Sequence, residues 1–314
     1  MKQLKVGIIG GTGLGKLIAE TSNQRRHEIE TPFGRPSDAI FEVEWEGLAV
    51  LLLNRHGPGH VLGPTQVPAR ANIFALKQLG CTHIIASGAV GSLRQEMKPR
   101  DLVIPDQIID KTSRRPASFF EKSAVHVEFA EPFCPVLRRI LLEEAGASKE
   151  STATVHDRGC YVCMEGPAFS TRAESLMHRL WGGDLIGMTV MPEAKLAREA
   201  EIPYALVALV TDYDCWKAHA PPQFGTAVPA PEPPGPVDPH ALLKEIIGNL
   251  EAASTRAMGL IRGALRRIGS DPAPLLECPA RRALELAIWS DKSLIDREEV
   301  GRLAPLWGKY FSLK

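Results

Sequence analysis

The chain has 314 residues, 44% of them hydrophobic and 24% charged, which suits a soluble globular protein of one large domain plus an appendage, or of two domains. Lys plus Arg number 37 and Asp plus Glu number 37, and this neutrality argues against a general nucleic-acid or membrane-surface binder. No apolar run reaches the length of a membrane span. Met1-Lys2-Gln3-Leu4-Lys5 leads into a strand pattern without the layout of a signal peptide. The six cysteines, Cys81, Cys134, Cys160, Cys163, Cys215 and Cys278, sit in apolar contexts and read as reduced thiols of a cytoplasmic protein. Cys160 and Cys163 form a CxxC with no second pair or His pair at zinc spacing, so no metal is expected.

Val6-Gly7-Ile8-Ile9 is a short buried strand that runs into Gly10-Gly11-Thr12-Gly13-Leu14-Gly15-Lys16. The phosphate loop of nucleotide triphosphatases needs Ser or Thr after its Lys, where Leu17 stands, and no register of these glycines gives the dinucleotide GxGxxG. What remains is a small anion loop with one hydroxyl, Thr12, or a structural turn. Residues 41–45 alternate and residues 48–53 are apolar, predicting two strands, the second ending in Asn54-Arg55-His56-Gly57. Arg55 offers a fixed fork of donors and His56 a donor or acceptor, a pair suited to an anion; a solvated surface pair is the plain alternative. Residues 71–79 predict a helix closed by Gly80. Residues 83–86 predict a strand ending in a small-residue turn, Ser87-Gly88-Ala89-Val90-Gly91-Ser92, that would expose backbone N–H groups.

Strand material follows at 102–105 and 108–109. His126 falls in a loop ahead of Glu131-Pro132-Phe133-Cys134-Pro135. A helix is predicted over 136–145, strands over 153–155 and 159–164, a helix ending at 181, a strand at 185–189 and a helix over 192–200 opened by Pro192. Phe169 and Met188 flank loop ends, as core residues or as walls for a flat aromatic ligand. The run 204–210 is continuously apolar, the mark of a strand buried on both faces. Asp212 and Asp214 come just past its carboxyl end, where open α/β sheets bind ligands. Two carboxylates held close in a dry pocket push one pKa up, so one can hold a proton near neutral pH; an acidic turn is the alternative. Strands alternate with helices to about residue 215, which says α/β with a mostly parallel core.

Residues 221–239 hold eight of the 25 prolines, a stiff irregular connection. Asp238-Pro239 then opens a helix with apolar spacing at Leu242, Leu243, Ile246, Ile247 and Leu250. Residues 279–314 read as two short helices. Leu284, Ala287 and Ile288 form one stripe, and Asp296 with Glu299 forms a capping box ahead of Val300 and Leu303. This tail carries no evident chemistry, and packing or subunit contact is its default role.

Taken in order, the strand and GGTG of residues 6–13, Asn54-Arg55-His56-Gly57, Glu165-Gly166-Pro-x-Phe169-Ser170-x-Arg172-Ala173-Glu174-Ser175, Gly187-Met188-Thr189-x-x-Pro192-Glu193 and Thr211-Asp212-Tyr213-Asp214 resemble the trimeric purine nucleoside phosphorylase family, most closely its 5′-methylthioadenosine phosphorylase branch. Thr31-Pro32-Phe33-Gly34, residues 89–93 and Ala130-Glu131-Pro132-Phe133-Cys134 strengthen the likeness, which covers about residues 4–218. The resemblance implies a single phosphorylase-type α/β domain with a mixed, mostly parallel central sheet flanked by helices, plus a C-terminal helical extension. The phosphorylase core would span 1–220, the Pro-rich connection 221–238, a C-terminal helix of the core 239–268 and the extension 269–314.

The resemblance also implies the reaction, phosphorolysis of 5′-methylthioadenosine to adenine and 5-methylthioribose 1-phosphate. It implies no cofactor and no metal, with inorganic phosphate as co-substrate. Thr12, Arg55, His56 and the Ala89 backbone match the family's phosphate contacts. Phe169, Ser170, Met188 and Thr189 match its nucleoside contacts, Met188 against the ribose. Asp212 matches the acid at purine N7 and, with Asp214, favours a 6-amino base. His126 matches a residue lent to the neighbouring subunit's site, so a homotrimer is implied, and Val237 or Leu242 would line a methylthio pocket. The chain departs from the family pattern at Gly88, which replaces a hydroxyl residue at the phosphate, at Ala168, which replaces a basic residue, at Pro68-Ala69 in the helix entry near the phosphate and sugar, and in the loop after Gly13, while the tail beyond 268 lies outside the pattern. A 6-oxopurine or methylthioinosine phosphorylase, or a nucleoside-binding protein weakened in turnover, are the rival readings.

Overall fold

The computed structural model describes residues 4–11, 24–147, 153–217 and 239–311. Among them eleven strands form one mixed sheet: β1 Lys5–Gly10, β2 Arg25–His27, β3 Ile40–Trp45, β4 Leu48–Asn54, β5 His83–Ser92, β6 Leu102–Val103, β7 Gln107–Asp110, β8 Val155–His156, β9 Cys160–Cys163, β10 Leu185–Gly187 and β11 Tyr204–Tyr213. The principal order is β2-β3-β4-β1-β5-β10-β9-β7, with β11 on the other side of β5, then β6 and β8. β4, β1, β5 and β11 are mutually parallel, so their carboxyl ends share one edge.

The continuous apolar runs are explained by burial on both faces. In β4, Leu51 and Leu53 join one core cluster while Val50 and Leu52 join another. In β11, Leu206, Ala208 and Val210 face the first, and Ala205, Val207 and Leu209 the second. The first face is covered by α1 (Ala69–Gln78) and α4 (Glu193–Glu199). The second is covered by α2 (Pro135–Ala147) and the long α5 (Pro239–Ser270). Helix α3 (Arg172–Leu180) opens on Thr171 with a complete capping box to Glu174. Among the described residues no helix is long and apolar enough to cross a membrane.

Three local expectations are corrected. The predicted turn at 87–92 is strand, because β11 pairs with β5 along its whole length, from Ile84 to Ser92. Leu284, Ala287 and Ile288 do not form a helix. The segment lies as turns after a 3₁₀ turn at Pro279–Arg282, and Ile288 bridges Val125. The capping box at Asp296 is half made: Asp296 accepts from the Glu298 N–H, while Glu299 turns to Arg302 instead of back to the cap. Helices α6 (Ala273–Leu276), α7 (Arg297–Arg302) and α8 (Ala304–Trp307) complete the tail.

Leu284, Ala287, Ile295, Val300, Leu303, Leu306 and Trp307 of the tail belong to the same buried cluster as Ile9, Leu53 and Val210 of the sheet. Trp307 is fully buried, its ring 4.7 Å from Phe120 and 5.0 Å from Phe311. Trp307→Ala would leave a cavity that costs about 3–5 kcal/mol. The loss should appear in urea melts as one transition shifted for the whole protein, followed alike by fluorescence and far-ultraviolet dichroism. An early, separate transition would show the tail to be an independent unit.

Candidate active site

The site is built on one strand. β1 pairs with β5 only as far as Ala86, and β10 joins the same edge only at Gly91. Between them the edge of Ser87–Val90 faces no strand among the described residues, so its backbone is open to a ligand. Sequence reading expected the same backbone groups to be offered by a turn; an unpaired stretch of strand offers them instead.

At the Ser87 end stands Arg55, immediately after β4. Its backbone N–H donates to Gly10 O at 2.9 Å, which ties it to the end of β1. Arg55 is 1% exposed. Its Nε and Nη2 donate to the two oxygens of Glu193 at 2.8 and 2.9 Å, and Nη1 donates to Ser87 O at 2.9 Å. Burial opposes its charge, but the Glu193 carboxylate more than offsets this and holds the guanidinium firmly charged. Tyr204 Oη donates to Glu193 Oε1 at 2.7 Å, so β11 buttresses the pair. Beside it His56 donates from Nδ1 to Leu62 O at 2.8 Å and stacks on His60 with ring centres 4.2 Å apart. Burial first, then the charges of Arg55 and His60, push its pKa down to about 4. The neutral ring therefore presents Nε2 as an acceptor. Its Cδ2 lies 3.7 Å from where Gly11 would carry a Cβ, so His56 adjoins the chain that leads to Thr12. Thr12 and Val237 are outside the described residues, as is the side chain of Leu242.

Arg55, His56, Arg115, Met188, Thr189 and Glu193 line one cavity together with Pro64, Val67, Ala69, Met191 and Pro192. Ala89 is exposed on β5, opposite Leu209. Thr189 Oγ1 stands 2.9 Å from the position a Cβ of residue 88 would take. A hydroxyl thus already occupies the space next to Gly88. Met188 packs its Sδ within 2.5 Å of the position of a Cβ on Gly166, whose φ of +68° favours glycine in any case. Arg115, which sequence reading missed, cross-links these loops. It donates to Glu165 Oε1 at 2.9 Å, to Met188 O at 2.6 Å and to Met191 O at 2.7 Å. It lies in an aperiodic basic stretch beside Arg114, and its only visible signal was the proline after it. Glu193 stood in the recognised motif, but nothing local announced a partner 138 residues away.

At the other end of the open edge, Asp212 and Asp214 converge on Gly91. A Cβ there would lie 3.5 Å from Asp212 Oδ2 and 3.4 Å from Asp214 Cβ. The β5–β11 ladder slips between Val210 and Asp212, a bulge at Thr211. Asn249 of α5 satisfies the bulged Thr211 carbonyl through Nδ2 at 2.9 Å. Burial first, and then the charges of Asp214 and Glu245, raise the Asp212 carboxyl above its usual range, against a 2.6 Å hydrogen bond from Thr211 Oγ1 that lowers it. The two ends are separated by four residue steps, roughly 13 Å of strand. Phe169 is 86% exposed on the loop before α3, and Ser170, partly buried, receives a 3.4 Å contact on its carbonyl from Cys215 Sγ. His126 is exposed elsewhere, its ring 4.6 Å from Trp289, and does not line this cavity. Among the described residues no cluster of three or more His, Cys, Asp or Glu side chains is arranged to hold a metal.

Residues 5–265 match the family model of the phosphorylase superfamily. The S-methyl-5′-thioadenosine phosphorylase of Synechocystis is 43% identical over 312 residues, covering 99% of this chain and 89% of the relative. That of Geobacter sulfurreducens is 44% identical over 307 residues, covering 97% and 98%. A crystal structure of methylthioadenosine phosphorylase from an Antarctic soil metagenomic library superposes with TM-score 0.83 at 43% identity, covering 98% of this chain and 99% of that one. The methylthioadenosine phosphorylase of Schistosoma mansoni in complex with tubercidin gives 0.76 at 33% identity, covering 91% and 99%.

The buried pair makes a direct prediction. Glu193→Ala leaves Arg55 charged in the core with only Ser87 O, a loss of about 3–5 kcal/mol. The double variant Arg55→Met, Glu193→Leu should recover to within about 1–2 kcal/mol of the parent in urea melts while remaining inactive. A double variant as unstable as the single one would show that the pair stabilises the fold in its own right.

Proposed function

The chain belongs to the phosphorylase superfamily, and on that premise we propose that it catalyses phosphorolysis of 5′-methylthioadenosine to adenine and 5-methylthioribose 1-phosphate. The observation that carries this reading is the Asp212–Asp214 pair over Gly91, Asp214 buried and Asp212 half-buried, with the Asp212 carboxyl raised above its usual range. It sits across the open edge of β5 from a fixed guanidinium.

Inorganic phosphate binds at the Ser87 end, held by Arg55, His56, the Ala89 backbone, Thr189 and Thr12. Arg55 keeps its charge whatever binds, because Glu193 secures it. His56 is neutral in the empty site, and an arriving dianion favours its protonated, two-donor form. A phosphate oxygen forms a bond to the anomeric carbon as the bond from that carbon to purine N9 breaks. The sugar is cationic in between, and the phosphate's own charge and the Met188 side chain lie against it. The electron pair released to N9 spreads over the imidazole ring of the base. Asp212 gives its proton to N7, so adenine leaves neutral and Asp212 is left as a carboxylate. Asp214 accepts from the 6-amino group, and Phe169 and Ser170 bound the base. The reaction needs no protein nucleophile, metal or organic cofactor.

The working unit is a homotrimer in which His126 reaches a neighbouring subunit's site. What supports this is its exposed position beside Trp289, which is itself 71% exposed in a tail segment that also exposes Leu286 and Leu294. The protein works in the cytoplasm, in purine and methionine salvage.

Release of free base from methylthioadenosine, adenosine and inosine, with and without phosphate, tests the reading. Methylthioadenosine should be fastest and phosphate obligatory. Asp212→Asn should lower turnover of the 6-amino substrates by about 10²–10⁴-fold. Undiminished turnover in that variant removes the acid role, and base release without phosphate removes the reaction.

A further inference from the structure

Helix α3 buries only two of its side chains, Ser175 and His178, one turn apart on the same face. His178 is 1% exposed. Its Nε2 lies 3.0 Å from Lys111 Nζ. An ammonium can only donate, so Nε2 accepts and the ring proton must reside on Nδ1. Nδ1 is buried and has no hydrogen-bond partner. Asp214, 8% exposed, has the complementary defect: its Oδ2 is buried and unpartnered. An orphan donor and an orphan acceptor in one dry region each cost about 1–3 kcal/mol, unless they serve each other. Arg179, the neighbour of His178, lies 3.6 Å from the ring centre of Trp216, and Trp216 Nε1 and the Asp214 N–H both donate to Ser92 O, so α3 packs on the segment that carries Asp214, whose charge acts on His178. The other groups around the ring are Lys111 from the segment after β7, Glu174 one turn back on α3, and Trp181, whose ring centre lies 5.9 Å away. Burial first, and then Lys111, lower the His178 pKa, which keeps the ring neutral and the Nδ1–H available.

We propose that His178, locked by Lys111 as its Nδ1–H tautomer, is a positioning residue for base recognition: it donates to Asp214 Oδ2 through one bridging water and turns the other carboxylate oxygen to accept from the substrate's 6-amino group. The proposal rests on the reading of Asp214 as the 6-amino acceptor and adds what holds it in place. His178 touches neither substrate nor phosphate. It acts only through Asp214, so it sets the preference between 6-amino and 6-oxo bases and leaves the phosphate end alone.

The test uses the full-length enzyme and its His178→Phe, His178→Asn and Lys111→Met variants, with kcat/KM measured for methylthioadenosine and methylthioinosine. Asn places an amide N–H near the position of Nδ1, whereas Phe fills the volume without a donor. His178→Phe should lose about 10–100-fold on methylthioadenosine, the range expected when one hydrogen-bonded partner is removed. It should lose less than about 3-fold on methylthioinosine, with KM for phosphate unchanged. His178→Asn should recover most of that preference. Lys111→Met, which keeps the stem over Trp181 but frees the tautomer, should fall by an intermediate factor on the 6-amino substrate only. If His178→Phe keeps the parental preference, or His178→Asn falls as far as Phe on both substrates, the positioning role is wrong and the residue is packing. Should His178→Phe not fold, an unchanged preference in Lys111→Met overturns the proposal equally. A parent enzyme that ignores methylthioadenosine removes the base assignment itself, an outcome separate from any difference among the variants.

Discussion

Everything at this site depends on a break in strand pairing. β5 is held along one edge by β11, but on the other edge β1 stops at Ala86 and β10 begins at Gly91. The interval is not buried throughout, since Ala89 is exposed, so its backbone groups can be met by solvent or by a ligand. Arg55 takes Ser87 O, and the rest stays available. The same parallel core that makes β5 rigid therefore leaves one short length of it chemically unspent. The ends of β4, β10 and β11 gather around that length because the strands are ordered that way.

The two ends of the interval hold charge in opposite ways. At the Ser87 end a guanidinium is fixed by a bidentate carboxylate, itself buttressed by Tyr204, so positive charge is permanent and its direction is set. At the Gly91 end two carboxylates share a largely buried corner, and burial and their mutual repulsion raise the pKa of Asp212. Phosphorolysis needs this asymmetry. The nucleophile arrives already anionic and wants an unvarying positive partner, while the leaving base becomes anionic only as the bond breaks and wants a proton offered at that moment.

Much of this was written locally in the chain. The apolar runs at 48–53 and 204–210 announced buried strands, and Arg55, His56, Met188, Thr189 and Asp214 announced themselves by standing just past strand ends, while Asp212, expected there too, lies inside β11, which runs on to Tyr213. What escaped was non-local. Glu193 and Arg55 are 138 residues apart, and Arg115 draws together loops 50 to 76 residues away. Neither has a periodic or spaced signature. The strand at 87–92 was hidden because five small residues, Ser87, Gly88, Ala89, Gly91 and Ser92, read as a turn until β11 pairs with them. The tail at 284–288 kept its apolar stripe but not its helix, since bridging to Val125 and packing on the core outweigh a weak local preference.

The bulge at Thr211 shows how little backbone is needed to turn two carboxylates out of a core strand. Leu206, Ala208 and Val210 alternate into one core cluster. An unbroken strand would send Asp212 after them, into hydrocarbon, where a carboxyl has no use and a large desolvation cost. One inserted residue reverses the alternation and brings both aspartates to Gly91. That residue's carbonyl would then be orphaned, and Asn249 of α5 takes it up. Asn249 is in turn held by Arg100 through a 2.8 Å hydrogen bond from Nε. Gly91 leaves room for the two carboxylates: a Cβ there would press on Ile186 at 3.2 Å and touch Asp214 Cβ and Asp212 Oδ2 at 3.4 and 3.5 Å. The long C-terminal helix therefore does more than cover a face of the sheet. By capping the bulge it fixes which way the acid points.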